Sequence, residues 1–336
     1  MHYNQASLTH VWDTFTGYQR TAVLKAAIEL DIFSHIAAGA VTCDAVAARC
    51  QAAPRGVRAL LNHLVIDGFL TRHGDRYGLD ATAATFLDRS SPAYVGSAIG
   101  FVASPMVLEG FTRLTEAVRS GGTAVANEGT LAPEHPVWVE FARAMAPLAG
   151  MTASLLAQLL DIERAPAWNV LDIAAGHGMF GITLARLNPG VRVTALDWQN
   201  VLAVADEHAR AAGVADRFRT LPGSAFEVPF GLNYDLVLLP NFLHHFDPAT
   251  CEQILAKART ALAPAGRVII IEFIPNEDRS GPPDAVRFSL TMLAGTPSGD
   301  AYTFTEYQTM LRNVGFSRAT LHDLQPSPER AVIAEG

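Results

Sequence analysis

Apolar positions divide the chain before any single residue does. Val11, Phe15, Tyr18, Ala22 and the run from Val23 to Ile28 recur every three to four residues as far as Gly39, which predicts helices. Thr42 stands as a cap before a second segment, Cys43 to Arg49. A further helix is predicted from Pro54 to Val65, with proline in its first turn and Gly68 past its end. Phe69–Thr71 and Arg76–Leu79 flank His73-Gly74-Asp75 and predict a hairpin. Helices followed by a hairpin give the order of a winged helix.

Beyond this module, Phe101–Val118, Val137–Leu148 and Ser154–Leu160 are predicted to be helices, with loops at Gly121-Gly122 and at Pro133 to Pro136. From about residue 168 the pattern alternates. Strands are predicted at Asn169–Ala174, Arg192–Asp197, Arg217–Leu221, Tyr234–Leu239 and Val268–Phe273, with helices starting near Phe180, Asn200 and Pro248, the last running to Leu262. Repeated β-α units imply a mostly parallel α/β sheet covered on both faces. Arg318–Leu324 and Arg330–Ala334, joined by Gln325-Pro-Ser-Pro328, predict a terminal antiparallel hairpin in that sheet. The expected domains are 1–96, helical and winged-helix-like; 97–165, linking helices; and 166–336, a Rossmann-like ligand-binding domain.

Composition then excludes several partners. With 33 acidic and 25 basic residues the net charge is −8, which disfavours nucleic acid and anionic membranes. Helix 54–65 offers only Arg55, Arg58 and His63 as basic groups, so the winged helix is expected to dimerise rather than read DNA. The 49% hydrophobic content points the same way, to a buried subunit interface. Cys43, Cys50 and Cys251 are scattered and predict reduced thiols, with no zinc site. No leader or spanning segment is visible, so a cytoplasmic protein is expected, and the eleven histidines are dispersed without acidic clusters apart from His244-His245-x-Asp247, so no metal is expected.

The sharpest motif is Val170-Leu-Asp-Ile-Ala-Ala-Gly176-His-Gly178-Met-Phe-Gly181, an apolar strand entering a small-residue turn and then a helix. Small residues let the backbone approach a ligand and present amides at a helix N-terminus. Gly176, Gly178 and Gly181 match the nicotinamide-dinucleotide spacing, a weak signal alone. Asp172 inside the strand and the lengthened Ala174-Ala175-Gly176 stretch argue instead for S-adenosylmethionine, whose ammonium gives an acid something to meet. Asp197 closes the second strand, where a carboxylate accepts from both ribose hydroxyls of either cofactor, and Trp198 behind it is placed to cover adenine or to pack in the core.

The later motifs are Gly223-Ser-Ala-Phe226 after the third strand and Leu243-His-His-Phe246 after the fourth. In this order, with Ala26-Ala-Ile-Glu-Leu-Asp-Ile-Phe33 and Tyr77-Gly-Leu79 ahead of them, the chain resembles the plant-type small-molecule O-methyltransferases and their bacterial relatives over nearly its whole length. The resemblance implies an N-terminal homodimerisation domain and S-adenosylmethionine as methyl donor, with S-adenosylhomocysteine as product. It implies cofactor contacts from Asp172, Ala174, Gly176, Asp197, Trp198, Ser224, Ala225, Phe226, Pro240 and Asn241. It makes His244 the base toward an acceptor hydroxyl, as suits a neutral imidazole near its ordinary pKa, and makes Glu272 the acid that orients it. Phe141, Met145, Phe288, Met292 and His245 are expected around a small, flat acceptor, with the linking helices contributing.

The chain departs from the family at several positions. Ala174 and Ala175 replace glycines, which is tolerable if φ stays negative there; Ser224 and His245 replace acids; Pro240 replaces a basic residue; and Ala301 replaces a further acid, with Asp300 beside it. Two rivals stand beside methyl transfer: a nicotinamide-dependent oxidoreductase, and a protein of the same fold without transfer, either cyclase-like or a ligand-sensing regulator.

Overall fold

The computed structural model describes residues 7–126 and 134–336, so the expected loop marker Pro133 lies outside the described residues. Two compact units emerge, Met1–Ala103 and Ser104–Gly336.

In the first unit α1 (Leu8–Phe15), α2 (Gly17–Glu29), α3 (Ile32–Ala37), α4 (Cys43–Cys50) and α5 (Pro54–Ile66) precede the hairpin β1 (Leu70–His73) and β2 (Arg76–Leu79), and α6 (Ala81–Phe86) and α7 (Ile99–Val102) follow. Thr42 caps α4 by accepting the Ala45 N–H, as the sequence predicted. Ile32, Phe33, Val46, Val57, Leu61 and Leu64 lie in the core, one stripe each from α3, α4 and α5. On α1 the apolar stripe is not used internally: Leu8, Trp12 and Phe15 are exposed, as is Tyr18 on α2.

The second unit opens with α8 (Pro105–Thr112), α9 (Leu114–Ser120) and the long α10 (Val137–Leu159). Two expectations are corrected here. The single helix 101–118 is broken, because Ser104 caps a new start at Pro105 and Arg113 interrupts the last turn. Conversely, the helices expected at 137–148 and 154–160 are one, running through Pro147 and Gly150. Buried Ala142, Ala153 and Leu156 pack α10 along its length, enough to offset the missing proline N–H.

Then β3 (Asn169–Ile173), α11 (Met179–Leu187), β4 (Arg192–Asp197), α12 (Gln199–Ala211), β5 (Phe218–Pro222), β6 (Tyr234–Pro240), α13 (Pro248–Ala261), β7 (Leu262–Glu272), α14 (Pro283–Gly295), α15 (Phe304–Asn313), β8 (Arg318–Asp323) and β9 (Arg330–Glu335) build one sheet of order β5-β4-β3-β6-β7-β9-β8. β7 begins earlier than Val268, at the end of α13. β3 pairs in parallel with both β4 and β6, while β9 runs antiparallel to β7. Along β3, β6 and β7 alternate residues enter two separate cores, Val170, Leu236 and Ile269 on one face and Leu171, Val237 and Ile270 on the other. The chain leaves β3 toward β4 but returns to β6 on the opposite side. The carboxyl ends of β3 and β6 therefore flank the topological switch point, where open α/β sheets bind ligands.

Candidate active site

Two turns meet at the switch point. The first follows β3, where Ala174, Gly176 and Gly178 all have positive φ, of 53°, 57° and 73°. The condition of negative φ at Ala174 is not met: this alanine sits in the left-handed region that costs a side chain about 1–2 kcal/mol. Glycine there should relieve that strain, less the entropy it adds to the unfolded chain. Ala174→Gly is therefore expected to raise stability by about 0.5–1 kcal/mol in urea unfolding, and an unchanged or lower midpoint would count against a strained turn.

Gly181 keeps α11 against the sheet, since a Cβ there would lie 2.6 Å from a Val193 methyl. His177 starts that helix, its Nδ1 accepting the Met179 N–H at 3.1 Å. That bond places the His177 proton on Nε2, and burial holds the ring neutral by lowering its pKa to about 3.

Two carboxylates support the turn from below. Asp197 accepts the Gly176 N–H at 2.8 Å through one oxygen and the Trp198 N–H at 2.7 Å through the other. Asp172 is fully buried and accepts the Gly181 N–H at 3.1 Å, while its Oδ1 has no protein partner. Burial pushes Asp172 up to about 7 and Asp197 up to about 6. Over the open side of Gly176 lies Phe141, whose ring also stacks on His177 at 5.9 Å. Phe141 thus stands on the glycine-turn side of the site, and Met145 one turn on is half-buried. Trp198 is half-buried too and packs against the small cluster of Ala142, Val201 and Val204.

The second turn follows β6. Pro240 is buried beside Ile271, and Asn241 turns the chain with φ of 52° while donating through Nδ2 to the buried Glu329 at 2.5 Å. Glu272, at the end of β7, then gathers the turn: its Oε1 accepts the N–H groups of Phe242, Leu243 and His244 at 3.0, 3.1 and 3.4 Å. Its Oε2 lies 2.5 Å from Nδ1 of His244. Burial drives the pair toward neutrality, raising Glu272 to about 8 and lowering His244 to about 3. The three amides on Oε1 can only donate and so favour the ionised carboxylate, which would accept Nδ1–H through Oε2. Burial lowers His244 from the ordinary pKa expected of it, and in that arrangement the neutral ring carries its lone pair on Nε2.

His245 sits beside it, the two ring centres 4.2 Å apart. Its Nδ1 lies 3.1 Å from the Phe242 carbonyl, which only accepts, so Nδ1 carries the proton and Nε2 is again the acceptor. Neither Nε2 makes a hydrogen bond among the described residues. Phe288 meets the His244 ring edge-on at 4.7 Å and stacks on Phe273, while Trp138 meets His245 edge-on at 5.3 Å. Met292 is buried one turn beyond Phe288. Asp300, beside Ala301, pairs with Arg279 at 3.3 Å.

After β5, Ser224 accepts the Phe226 N–H at 3.2 Å, Ala225 is buried, and half-exposed Phe226 packs edge-on against Phe246. Sequence reasoning missed three participants: Trp138, His177 and Glu329. Trp138 was within reach of it, three residues before Phe141 on one helix face.

Known proteins resemble this chain along nearly its whole length. Residues 112–317 match the family model of the O-methyltransferase domain, and residues 12–89 that of the O-methyltransferase dimerisation domain. The chain is 33% identical over 315 residues to 3-hydroxy-5-methyl-1-naphthoate 3-O-methyltransferase of Streptomyces sahachiroi, covering 92% of this chain and 89% of that protein. It is 29% identical over 298 residues to the tetracenomycin polyketide synthesis 8-O-methyl transferase of Streptomyces glaucescens, covering 88% and 87%. A crystal structure of a candidate O-methyltransferase from Nostoc punctiforme superposes with a TM-score of 0.94 at 52% identity, over 99% of this chain and 100% of that one. Human N-acetylserotonin methyltransferase, solved with SAM, shares the fold at a TM-score of 0.87 and 24% identity, over 100% and 99%.

Proposed function

The chain belongs to the O-methyltransferase family, and from that premise we propose that it methylates a hydroxyl of a small, flat acceptor using His244 as general base. The observation that carries this reading is the imidazole itself: buried on the turn after β6 and held through Nδ1 by Glu272, with no hydrogen bond on Nε2 among the described residues.

S-adenosylmethionine, when bound, supplies an electrophilic methyl carbon whose bond to sulfur breaks as the new carbon–oxygen bond forms, leaving S-adenosylhomocysteine. The residues fit it. Asp197 is placed to accept from the ribose hydroxyls, the unpartnered Oδ1 of Asp172 suits a cation reached through water, and the Gly176 turn gives close backbone approach. Ala174, Trp198, the Ser224–Phe226 loop, Pro240 and Asn241 complete the cofactor contacts. Nε2 of His244 takes the proton of the acceptor hydroxyl as that oxygen attacks, and Glu272 stabilises the resulting imidazolium. Phe288 against His244 and Trp138 against His245 would line the acceptor site, with Met292 one turn beyond Phe288 and Phe141 and Met145 contributed by α10.

Burial holds His244 below the ordinary imidazole range, so kcat should show no limb at the usual histidine pKa of about 6.5. Cofactor affinity should instead weaken as pH falls through 7 to 6, where Asp172 and Asp197 take up protons and lose acceptor strength. Profiles of kcat and of KM for S-adenosylmethionine separate the two; a kcat limb near pH 6.5 would contradict the buried base.

His245 offers a second acceptor nitrogen beside the base, so the preferred acceptor carries a hydrogen-bond donor next to the hydroxyl that is methylated. Masking that neighbour as a methyl ether should lower kcat/KM by roughly 10- to 100-fold, the effect of leaving one buried polar group unpaired. Transfer of labelled methyl into such a pair of aromatic acceptors tests the reading, and equal rates would remove His245 from recognition.

The first unit is the homodimer interface in this reading. Support comes from the match to the dimerisation domain and from the exposed Leu8, Trp12, Phe15 and Tyr18. The unpaired cysteines suit the cytoplasm, and among the described residues no helix is long and apolar enough to cross a membrane.

A further inference from the structure

Lys257 lies on α13, away from the two turns, and pairs with no carboxylate among the described residues. Its ammonium donates instead to three main-chain carbonyls of one loop: Ala225 at 2.6 Å, Phe226 at 2.8 Å and Val228 at 3.3 Å. Those bonds use all three of its donors. The same nitrogen stands 4.4 Å from the centre of the Phe230 ring.

The loop it holds is the one after β5. Gly223, at φ of 133°, enters the loop by donating to the Asp197 carbonyl at 2.9 Å, and a Cβ there would lie 2.4 Å from a Val228 methyl. Glu227 and Val228 both donate to the Ser224 carbonyl, at 3.0 and 2.9 Å, and Phe226 donates to the Ser224 hydroxyl. The amides thus turn inward on Ser224 while the three carbonyls converge on α13. Converging carbonyl dipoles repel unless a cation gathers them. A half-buried lysine without an acid is also costly to desolvate, and a leucine or methionine could cover Phe230 without that cost. The ammonium is explained by the loop it shapes.

We propose that Lys257 is a positioning residue of the cofactor site, fixing the Ser224–Phe226 loop in the form that receives S-adenosylmethionine. This rests on the cofactor reading above. Lys257 touches neither the base nor the reacting atoms, so its loss acts on cofactor affinity and not on the chemical step.

The test compares Lys257→Met and Lys257→Arg with the parent protein. S-adenosylhomocysteine is titrated by calorimetry, and kcat and KM for S-adenosylmethionine are measured on one aromatic acceptor. The methionine variant should raise Kd and KM about tenfold or more, with kcat at saturating cofactor within about twofold. Arginine, which also reaches carbonyls with a charge, should restore both to within about threefold. An unchanged Kd in a folded Lys257→Met protein overturns the proposal, as does a fall in kcat with KM unmoved. Should the methionine variant fail to fold, Lys257→Gln, which keeps two donors without charge, must still weaken S-adenosylhomocysteine binding, and unchanged binding overturns the proposal equally. A parent protein that binds no S-adenosylhomocysteine would overturn the cofactor reading itself, a result distinct from any difference among variants.

Discussion

Exchange of His244 for glutamine is expected to lower kcat by about 10²–10⁴-fold while leaving the affinity for S-adenosylhomocysteine within about twofold. The imidazole sits on the turn after β6 and makes its structural bond through Nδ1, and among the described residues Nε2 has no hydrogen bond. Glutamine can keep a bond to Glu272 through its amide N–H but cannot take a proton from a hydroxyl. The glycine turn and Asp197 belong to other elements and keep their bonds. Single-turnover transfer of labelled methyl, beside a calorimetric titration, measures both quantities. Turnover within a few-fold of the parent would remove His244 from the base role.

The second large effect concerns a residue that touches neither substrate. Glu272→Gln should cost nearly as much as losing the imidazole. Three amide N–H groups require an acceptor at the Oε1 position, so the glutamine oxygen must stay there and its NH₂ must face His244. An NH₂ can only donate. Nδ1 becomes an acceptor, the proton moves to Nε2, and the lone pair that should receive the acceptor's proton is gone. The loss therefore stems from the wrong tautomer, and we expect it near 10³-fold in kcat with the turn still folded. Because both residues act as one unit, His244→Gln combined with Glu272→Gln should be little worse than either alone. Additive losses in the double variant would show that Glu272 works independently of the histidine.

How far the site could be read without coordinates follows from the reach of each interaction. The glycine turn was legible because positive φ and close packing demand small residues at fixed spacing, and Gly176, Gly178 and Gly181 meet that demand locally. The strands were legible because both faces of the sheet are buried, which leaves short continuous apolar runs. Family likeness supplied His244 and Glu272, whose bond spans 28 residues and leaves no local pattern. Ala174 was misjudged because composition does not reveal a dihedral angle. The pKa of His244 was misjudged because it depends on burial contributed by several elements. The continuity of α10 was hidden by Pro147, since tertiary packing outweighs one lost hydrogen bond. Lys257 and Glu329 were invisible for a common reason: their partners are main-chain carbonyls or an amide 88 residues away, and neither marks the sequence.

Calorimetric titration of the purified protein with S-adenosylhomocysteine, set beside nicotinamide dinucleotide and repeated on Asp197→Ala, bears most directly on what the switch point holds. Saturable heat is expected with the adenosyl compound alone, weakened by on the order of 10²-fold when the Asp197 carboxylate is removed. Saturation by the dinucleotide with no response to S-adenosylhomocysteine would contradict it.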